Sequence, residues 1–193
     1  LSRKGSGLEF RRCGNSDLTL SALGLGCWSF GGGTYWGDCD QADADAVVRR
    51  AVDLGITYFD AAEAYNAGRS EESLGKALRG IPRDRVVIGT KVSPSNCYAA
   101  TLPRHCEASL RRLGLDYIDL YMIHWPVQGM HVAEIMKALN ETVTSGKARF
   151  VGCCNYPAWL VAHSNAIADR NGWARLVGNQ VAYNLIERGV EVA

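Results

Sequence analysis

Residues 118–124, Ile-Asp-Leu-Tyr-Met-Ile-His, form an apolar run that ends on a histidine. Two earlier stretches have the same design, since residues 56–60 end on Asp60 and residues 86–91 end on Lys91. Short apolar runs bounded by turn residues indicate strands buried in a parallel sheet. The sequence therefore predicts a polar side chain at the end of each of three successive strands.

The spacing of these polar residues is close to constant. Asp60 and Lys91 are 31 residues apart, Lys91 and His124 are 33 apart, and His124 and Asn155 are 31 apart. One strand, one helix and two loops need about 30 residues or more. We therefore expect one βα unit between each pair, with the polar groups gathered at the carboxyl ends of the strands, where an α/β barrel forms its active site.

The rest of the chain alternates between short apolar runs and segments with apolar residues at helical spacing. Within residues 10–25, two extended runs flank a turn at residues 14–17, which predicts a hairpin that plugs one end of a barrel. Helices that alternate with short strands indicate a parallel sheet with right-handed crossovers. The predicted strands cover residues 23–28, 56–59, 86–90, 117–123, 149–153 and 176–182, and the predicted helices cover residues 43–54, 70–80 (starting at Ser70), 102–113, 131–145 and 157–171.

The length of the chain limits how much of a barrel it contains. An eight-stranded α/β barrel takes about 250 residues, whereas this chain has 193. We predict an α/β fold, a (β/α)8 TIM barrel with about six of its eight βα units, over residues 8–193 behind a flexible lead-in at residues 1–7. Six strands would leave two ladder edges unpaired, so we expect the protein to continue beyond Ala193.

Composition argues against several other classes of function. The 21 Lys and Arg residues nearly balance the 20 Asp and Glu residues and are scattered, so we expect neither nucleic acid nor an anionic membrane as partner. No apolar run of about 18 residues predicts a membrane span. The seven cysteines form no C-x-x-C pair, so we expect free thiols, a cytoplasmic protein and no metal site.

Gly24 and Gly26 begin a pattern similar to a dinucleotide-binding fingerprint. Ser29 occupies the position of its third glycine, so the G-x-G-x-x-G signature fails. We interpret the two glycines instead as strand-end residues that keep a loop close to a bound ligand.

Asp60, Tyr65, Lys91 and His124 together suggest a device that delivers a proton. A tyrosine can donate its proton, an ammonium group eases that ionisation, a carboxylate holds the ammonium group, and an imidazole orients a carbonyl. An alternative is a Schiff-base enzyme that uses Lys91, but such a lysine needs a lowered pKa, and a neighbouring Asp60 acts in the opposite direction.

Several segments, in the same order, resemble the aldo-keto reductase family. They are residues 23–28, 55–65, 68–75, 90–92, 119–126 and 151–156, and the likeness runs from about Phe10 to the end of the chain. The resemblance implies a (β/α)8 barrel that binds a nicotinamide cofactor, usually NADPH, without a Rossmann domain. It also implies a small-molecule substrate, an aldehyde or ketone that is reduced to an alcohol.

By this resemblance, Asp60, Tyr65, Lys91 and His124 match the four catalytic residues of the family, with Tyr65 as proton donor. Lys91 is expected to favour the ionised phenol and so to lower the pKa of Tyr65. The residues matched to cofactor binding are Cys27, Trp28, Asp60, Cys154, Asn155 and Gln180.

Asn155 and Gln180 match residues that hydrogen-bond the nicotinamide carboxamide. Cys154 stands where the family has a serine, and a thiol is a weaker hydrogen-bonding group. Trp28 and Trp125 match aromatic walls of the substrate pocket. The seventh and eighth strands of the family, which carry a stacking tyrosine and the ligands of the 2′-phosphate, have no counterpart in the chain.

Two other functions stay open at this point. The protein could be a regulatory cofactor-binding subunit that resembles channel β-subunits, or the chain could be an inactive fragment of a reductase. The carbonyl substrate and the oligomeric state are not indicated by the sequence, and the choice of NADPH over NADH depends on the resemblance alone.

Overall fold

A computed structural model describes residues 7–127 and 129–192. Of the lead-in predicted at residues 1–7, only Gly7 lies within the described residues. The described chain opens with two short antiparallel strands, β1 (Phe10–Arg12) and β2 (Thr19–Ser21), which form the predicted hairpin.

Six parallel strands and five helices follow the hairpin. The strands are β3 (Gly24–Gly26), β4 (Tyr58–Asp60), β5 (Val87–Val92), β6 (Ile118–Ile123), β7 (Ala148–Cys154) and β8 (Leu176–Gln180). The helices are α1 (Gln41–Asp53), α2 (Arg69–Ala77), α3 (Leu102–Leu113), α4 (Val132–Thr144) and α5 (Ala158–Asn171). Each strand from β4 onward pairs in parallel with the strand before it, so chain order and sheet order are the same. This curled six-stranded sheet confirms the predicted partial α/β barrel.

The two faces of the sheet have different partners because side chains alternate along each strand. On β6, Leu120 and Met122 face the barrel interior and cluster with Cys154 and with Leu18 of the hairpin. Tyr121 lies on the opposite face, in the larger core between the sheet and the helices. The same interior cluster includes Val87 near the start of β5 and Val177 near the start of β8. The hairpin therefore closes the barrel interior at the amino-terminal ends of the strands, as predicted.

The strand ends differ from the prediction in a way that matters for the site. Asp60 is the last residue of β4 and Lys91 is the fifth of the six residues of β5, whereas both were expected just beyond their strands. These two side chains form an ion pair inside the barrel. Because each charge is compensated by the other, both residues can lie within a buried strand and take part in its ladder. His124 follows β6 directly, as predicted.

The start of α2 also differs from the prediction. The helix begins at Arg69, after Gly68 with a φ of 88°, rather than at Ser70. The Ser70 hydroxyl cannot cap this helix because it is buried and donates a hydrogen bond of 2.7 Å to the carbonyl of Cys27. Ser70 therefore ties α2 to the segment that follows β3.

Candidate active site

Lys91 lies at the centre of the site and is only 1% exposed. Its Nζ is 2.8 Å from Asp60 Oδ2, 2.8 Å from the carbonyl oxygen of Ala61 and 3.3 Å from Tyr65 Oη. An ammonium group has three protons to donate, so three acceptors satisfy it. Burying an unpaired ammonium group would cost several kcal/mol, on the order of the penalty for any buried ion, and this arrangement avoids that cost.

The surroundings of Lys91 keep it charged. Burial acts to lower its pKa, but the neighbouring Asp60 carboxylate and the Tyr65 phenol outweigh that effect, and the pKa of Lys91 is raised above its ordinary value. A Schiff-base lysine needs the opposite shift. The site therefore favours the role of a fixed cation over that of an amine nucleophile.

The pKa of Tyr65 corrects one prediction. Lys91 does act to lower it, as expected, but burial of the phenol is the larger effect, and Asp60 also raises it. The net pKa of Tyr65 therefore lies above its ordinary value, and the prediction of a lowered pKa was wrong. Tyr65 therefore holds its proton in neutral solution and has a proton to donate.

His124 and Tyr65 face the same space. Their ring centroids are 5.4 Å apart, with the planes nearly perpendicular. Burial, together with the positive charge of Lys91, lowers the pKa of His124 to about 4. The imidazole is consequently neutral at pH 7, and a neutral imidazole donates through one nitrogen and accepts through the other.

The ends of β7 and β8 bring two amide side chains, those of Asn155 and Gln180, towards His124. Asn155 has a φ of 59°, its backbone N–H donates to the carbonyl of Gln180 at 2.9 Å, and its Nδ2 donates to the carbonyl of His124 at 3.3 Å. The thiol of Cys154 donates to Gln180 Oε1 at 3.4 Å. Within the described residues, these bonds leave Asn155 Oδ1 and Gln180 Nε2 without a partner. One free acceptor and one free donor fit a carboxamide such as that of nicotinamide.

Aromatic rings border the site on the side of β3. Trp28 stacks on Tyr65 with 5.7 Å between centroids and on Tyr35 with 5.0 Å between centroids. Trp36 packs edge-on against both Trp28 and Tyr35. Trp125 is 51% exposed, and among the described residues it makes no ring contact with this stack. The structure therefore brings Trp28 to Tyr65 but leaves Trp125 apart.

Cys27 lies next to Asp60 in the sheet, but its side chain belongs to the core. Its side chain is fully buried in the core beneath the helices. Its backbone N–H donates to the carbonyl of Asp60 at 2.8 Å, and its own carbonyl accepts from the Ser70 hydroxyl of α2, so its polar contacts are with β4 and α2. A cofactor contact by the Cys27 thiol has no support in this geometry.

Two polar residues that flank Tyr65 in the chain and connect its segment to neighbouring loops were missed in the sequence. Asn66 adopts a φ of 52°, and its Nδ2 donates to the carbonyls of Trp28 at 2.7 Å and Phe30 at 2.9 Å. Glu63 is nearly buried and accepts from the backbone N–H of Ser93 at 2.7 Å. Asparagine is one of the few residues that tolerate left-handed backbone geometry, and this preference could have identified Asn66.

Other partners of Glu63 complete its environment. Its carboxylate also accepts from Asn96 Nδ2 at 2.9 Å and lies 2.7 Å from His105 Nδ1. Burial acts to raise the pKa of Glu63, but these hydrogen bonds outweigh it, and the pKa is lowered. Glu63 thereby ties the segment between Asp60 and Tyr65 to the loop after β5.

The fold and this Asp–Tyr–Lys–His group define an α/β-barrel protein with a cluster of ionisable side chains at the carboxyl ends of the strands. A sequence profile described as the aldo/keto reductase family matches residues 22–192. The chain belongs to the aldo/keto reductase family.

Individual relatives agree with this assignment. The chain is 34% identical to the aldo-keto reductase YhdN of Bacillus subtilis (strain 168), covering 95% of this chain and 56% of that protein. It is 35% identical to the NADH-specific methylglyoxal reductase of Escherichia coli (strain K12), covering 92% of this chain and 60% of that protein. The chain thus spans less than two thirds of the length of these relatives.

A solved structure gives the same fold. The aldo/keto reductase from Klebsiella pneumoniae in complex with NADP and acetate matches with a TM-score of 0.77 and 37% identity, over 90% of this chain and 58% of that one. In residues 7–127 and 129–192, no helix is long and apolar enough to cross a membrane. The same residues contain no group of three or more His, Cys, Asp and Glu side chains arranged to hold a metal ion.

Proposed function

We propose that this chain carries the proton-donating machinery of a reductase that converts an aldehyde or ketone into an alcohol with hydride from NADPH. The observation that carries the proposal is the contact of Lys91 Nζ with Tyr65 Oη at 3.3 Å, beside the Asp60 carboxylate. Carbonyl reduction leaves negative charge on oxygen, and that charge must be met by a proton or a hydrogen-bond donor. A protonated tyrosine next to a fixed cation meets this need.

Each of the four residues has a task in this proposal. Tyr65 donates its hydroxyl proton to the carbonyl oxygen of the substrate. As that proton leaves, the Lys91 ammonium group stabilises the phenolate, and Asp60 keeps Lys91 charged and in position. Neutral His124 donates a hydrogen bond to the same carbonyl oxygen and orients it.

The proposed cofactor is NADPH, which supplies the hydride when bound. Asn155 Oδ1 and Gln180 Nε2 would accept from and donate to its carboxamide, and Cys154 would hold Gln180 in place. The K. pneumoniae relative was solved with NADP, whereas the E. coli relative is named NADH-specific. Relatives of this chain thus include proteins named for either cofactor, and we propose NADPH for this one.

The proposed substrate is a small carbonyl compound that lies over Tyr65 and His124, with Trp28 and Trp125 as the aromatic borders of its pocket. All seven cysteines are free thiols. Free thiols are typical of a reducing compartment, which supports the cytoplasm as the proposed location.

A cofactor-consumption assay tests this function. The purified protein is mixed with NADPH or with NADH, with and without methylglyoxal, the compound in the name of the E. coli relative. We expect consumption that requires the aldehyde and is faster with NADPH. Asn155→Ala should weaken cofactor binding by about tenfold, the effect of one lost hydrogen bond.

Each other outcome of the assay has a definite meaning. Saturable cofactor binding without aldehyde-dependent consumption, repeated over a panel of aldehydes and ketones, would contradict the proposal and favour a regulatory cofactor-binding subunit. Neither binding nor consumption would indicate an inactive chain.

A further inference from the structure

Tyr58 lies beneath the catalytic group and takes no part in the proposed mechanism. Tyr58 and Asp60 are two residues apart on β4, so both side chains face the barrel interior. The Tyr58 hydroxyl donates a hydrogen bond of 3.1 Å to Asp60 Oδ1. The other oxygen of the same carboxylate, Oδ2, accepts from Lys91 at 2.8 Å. Asp60 is therefore held from two sides, by a phenol below it and by an ammonium group beside it.

The neighbouring strands leave room for the Tyr58 ring at two glycines. A Cβ placed on Gly24 of β3 would come within 2.7 Å of Tyr58 Cδ1, and one placed on Gly89 of β5 would come within 2.5 Å of Tyr58 Oη. Real Cβ atoms do not approach other atoms so closely. Gly24 is the register partner of Tyr58, and Gly89 is the register partner of Asp60. The ring thus lies in a slot that only glycine on both neighbouring strands permits.

This slot corrects our interpretation of Gly24 as a residue that keeps a loop close to a ligand. The nearest atoms to a Gly24 Cβ belong to Tyr58, whereas Gly26 has nothing within 4 Å of its Cβ position. The space at Gly24 is therefore occupied by the ring of Tyr58. Together, Gly24 and Gly89 leave room for this ring in the position from which its hydroxyl group reaches the Asp60 carboxylate.

We infer that Tyr58 is a positioning residue of the active site, which fixes the Asp60 carboxylate so that its Oδ2 faces Lys91. The inference rests on the proposed function only in giving that geometry a catalytic purpose. The terminal torsion of an aspartate is broad, so a carboxylate bound only to Lys91 could rotate. The hydrogen bond from Tyr58 removes that freedom and so keeps the Lys91 ammonium group against Tyr65.

The test is nuclear magnetic resonance of the Lys91 ammonium group in protein labelled with 15N-lysine. Three acceptors hold its protons in the wild-type protein, so we expect a distinct signal that exchanges slowly with water near neutral pH. Tyr58→Phe keeps the ring in its slot and removes only the hydroxyl group. We expect the Lys91 protons of this variant to exchange several-fold faster, because hydrogen bonds to charged groups are among the stronger ones in proteins.

Tyr121→Phe is the matched control. Tyr121 lies on β6, is fully buried, and has a hydroxyl group with no hydrogen-bond partner among the described residues. The Tyr121→Phe substitution removes a buried tyrosine hydroxyl group from the opposite face of the sheet and should leave the Lys91 signal unchanged. Thermal unfolding of both variants shows whether each is folded.

Turnover provides the second readout. Tyr58→Phe should reduce kcat by about tenfold, since one hydrogen bond to a charged group is worth roughly that factor, and should leave KM within about twofold. The Lys91 signal needs no reductase activity, so it tests Tyr58 even if the proposed function fails. An identical Lys91 signal in folded Tyr58→Phe would overturn the inference.

A measurement on the wild-type protein covers the case in which Tyr58→Phe does not fold. The Tyr58 hydroxyl proton, bound to Asp60, should appear as a slowly exchanging resonance coupled to the Tyr58 ring. A Tyr58 hydroxyl that exchanges as freely as that of the exposed Tyr35 would also overturn the inference.

Discussion

The charge of Lys91 governs the site at the scale of single residues. An ammonium group inside a barrel is costly unless it is paired and hydrogen-bonded, and Asp60, Ala61 and Tyr65 supply its three acceptors. The same positive charge disfavours a second cation nearby, and together with burial it keeps His124 neutral. Burial is the largest cause of the lowered pKa of His124, and the Lys91 cation adds to it, whereas burial outweighs the effect of Lys91 on Tyr65.

A first prediction concerns the pH dependence of stability. The pKa of His124 is about 4 in the folded protein, whereas an unfolded histidine has a pKa of about 6.5. Between these values the unfolded chain takes up a proton that the folded chain refuses, so stability should fall as the pH drops from about 6.5 to 4. His124 is only partly buried, so we expect a loss on the order of 1–2 kcal/mol after solvent screening.

Urea unfolding at pH 7 and pH 4.5 measures this loss, and His124→Gln should remove it. His163, which is exposed on α5, provides the control, and His163→Gln should keep the full pH dependence. If His124→Gln lost as much stability on acidification as the wild-type protein, the neutral state of His124 would be wrong.

The sequence predicted which residues meet at the site but not all of their properties. Asp60, Tyr65, Lys91 and His124 could be identified because strand ends and βα spacing determine where they lie. The raised pKa of Tyr65 could not, because it depends on how deeply the phenol is buried. Tyr58 was missed for a similar reason, since a tyrosine inside a strand pattern is usually read as packing.

At the scale of elements, helices α2 and α3 pack closely behind the site. A Cβ on Gly75 of α2 would meet the carbonyl oxygen of Leu113 at 2.4 Å. Arg112 of α3 donates to Glu71 of α2 at 2.6 Å, and the Glu71 carboxylate also accepts from the Thr90 hydroxyl at 2.5 Å. Thr90 precedes Lys91 on β5, so this packing supports the strand that carries Lys91.

Gly75→Ala should destabilise the protein by about 1–3 kcal/mol, the usual cost of overpacking. Alanine would normally improve a helix by about 1 kcal/mol relative to glycine, so the sign of the change tests the close contact with Leu113. Urea unfolding measures it. Gly178→Ala is the control, because a Cβ on Gly178 meets nothing within 4 Å. A more stable Gly75→Ala variant would contradict the close approach of the two helices.

Arg112→Met should destabilise the protein by about 3–5 kcal/mol, because it leaves the fully buried Glu71 carboxylate without its cation. The neighbouring Arg111 is exposed, and Arg111→Met should change stability by less than about 0.5 kcal/mol. Denaturant unfolding of the two variants side by side gives the comparison. Equal stabilities would show that the Arg112–Glu71 pair does not hold α2 to α3.

The elements themselves were largely predictable, because apolar periodicity marks helices and strands and glycine marks helix ends. Their boundaries were less so. Asp60 and Lys91 can lie within strands because they form an ion pair inside the barrel. Ser70 lies inside α2 and does not cap it, because its hydroxyl group donates to the carbonyl of Cys27. Such tertiary contacts cannot be inferred from local patterns.

At the scale of the whole molecule, the order of the strands follows from the sequence. Six strands that alternate with five helices form one parallel sheet with the hairpin beneath it. Among the described residues, β3 and β8 each pair with a strand on one side only, so their outer edges offer free backbone donors and acceptors. The arrangement still brings the Asp–Tyr–Lys–His group and the two amide side chains to the same end of the sheet.

The most direct test of the account is the turnover of Tyr65→Phe compared with that of the wild-type protein. The substitution keeps the ring against Trp28 and removes only the proton that the proposed mechanism transfers. We expect carbonyl reduction to fall by about 10²–10⁴-fold, the usual contribution of a general acid, with the Kd for NADPH unchanged in a fluorescence titration. Turnover equal to that of the wild-type protein would contradict the role of Tyr65 as proton donor.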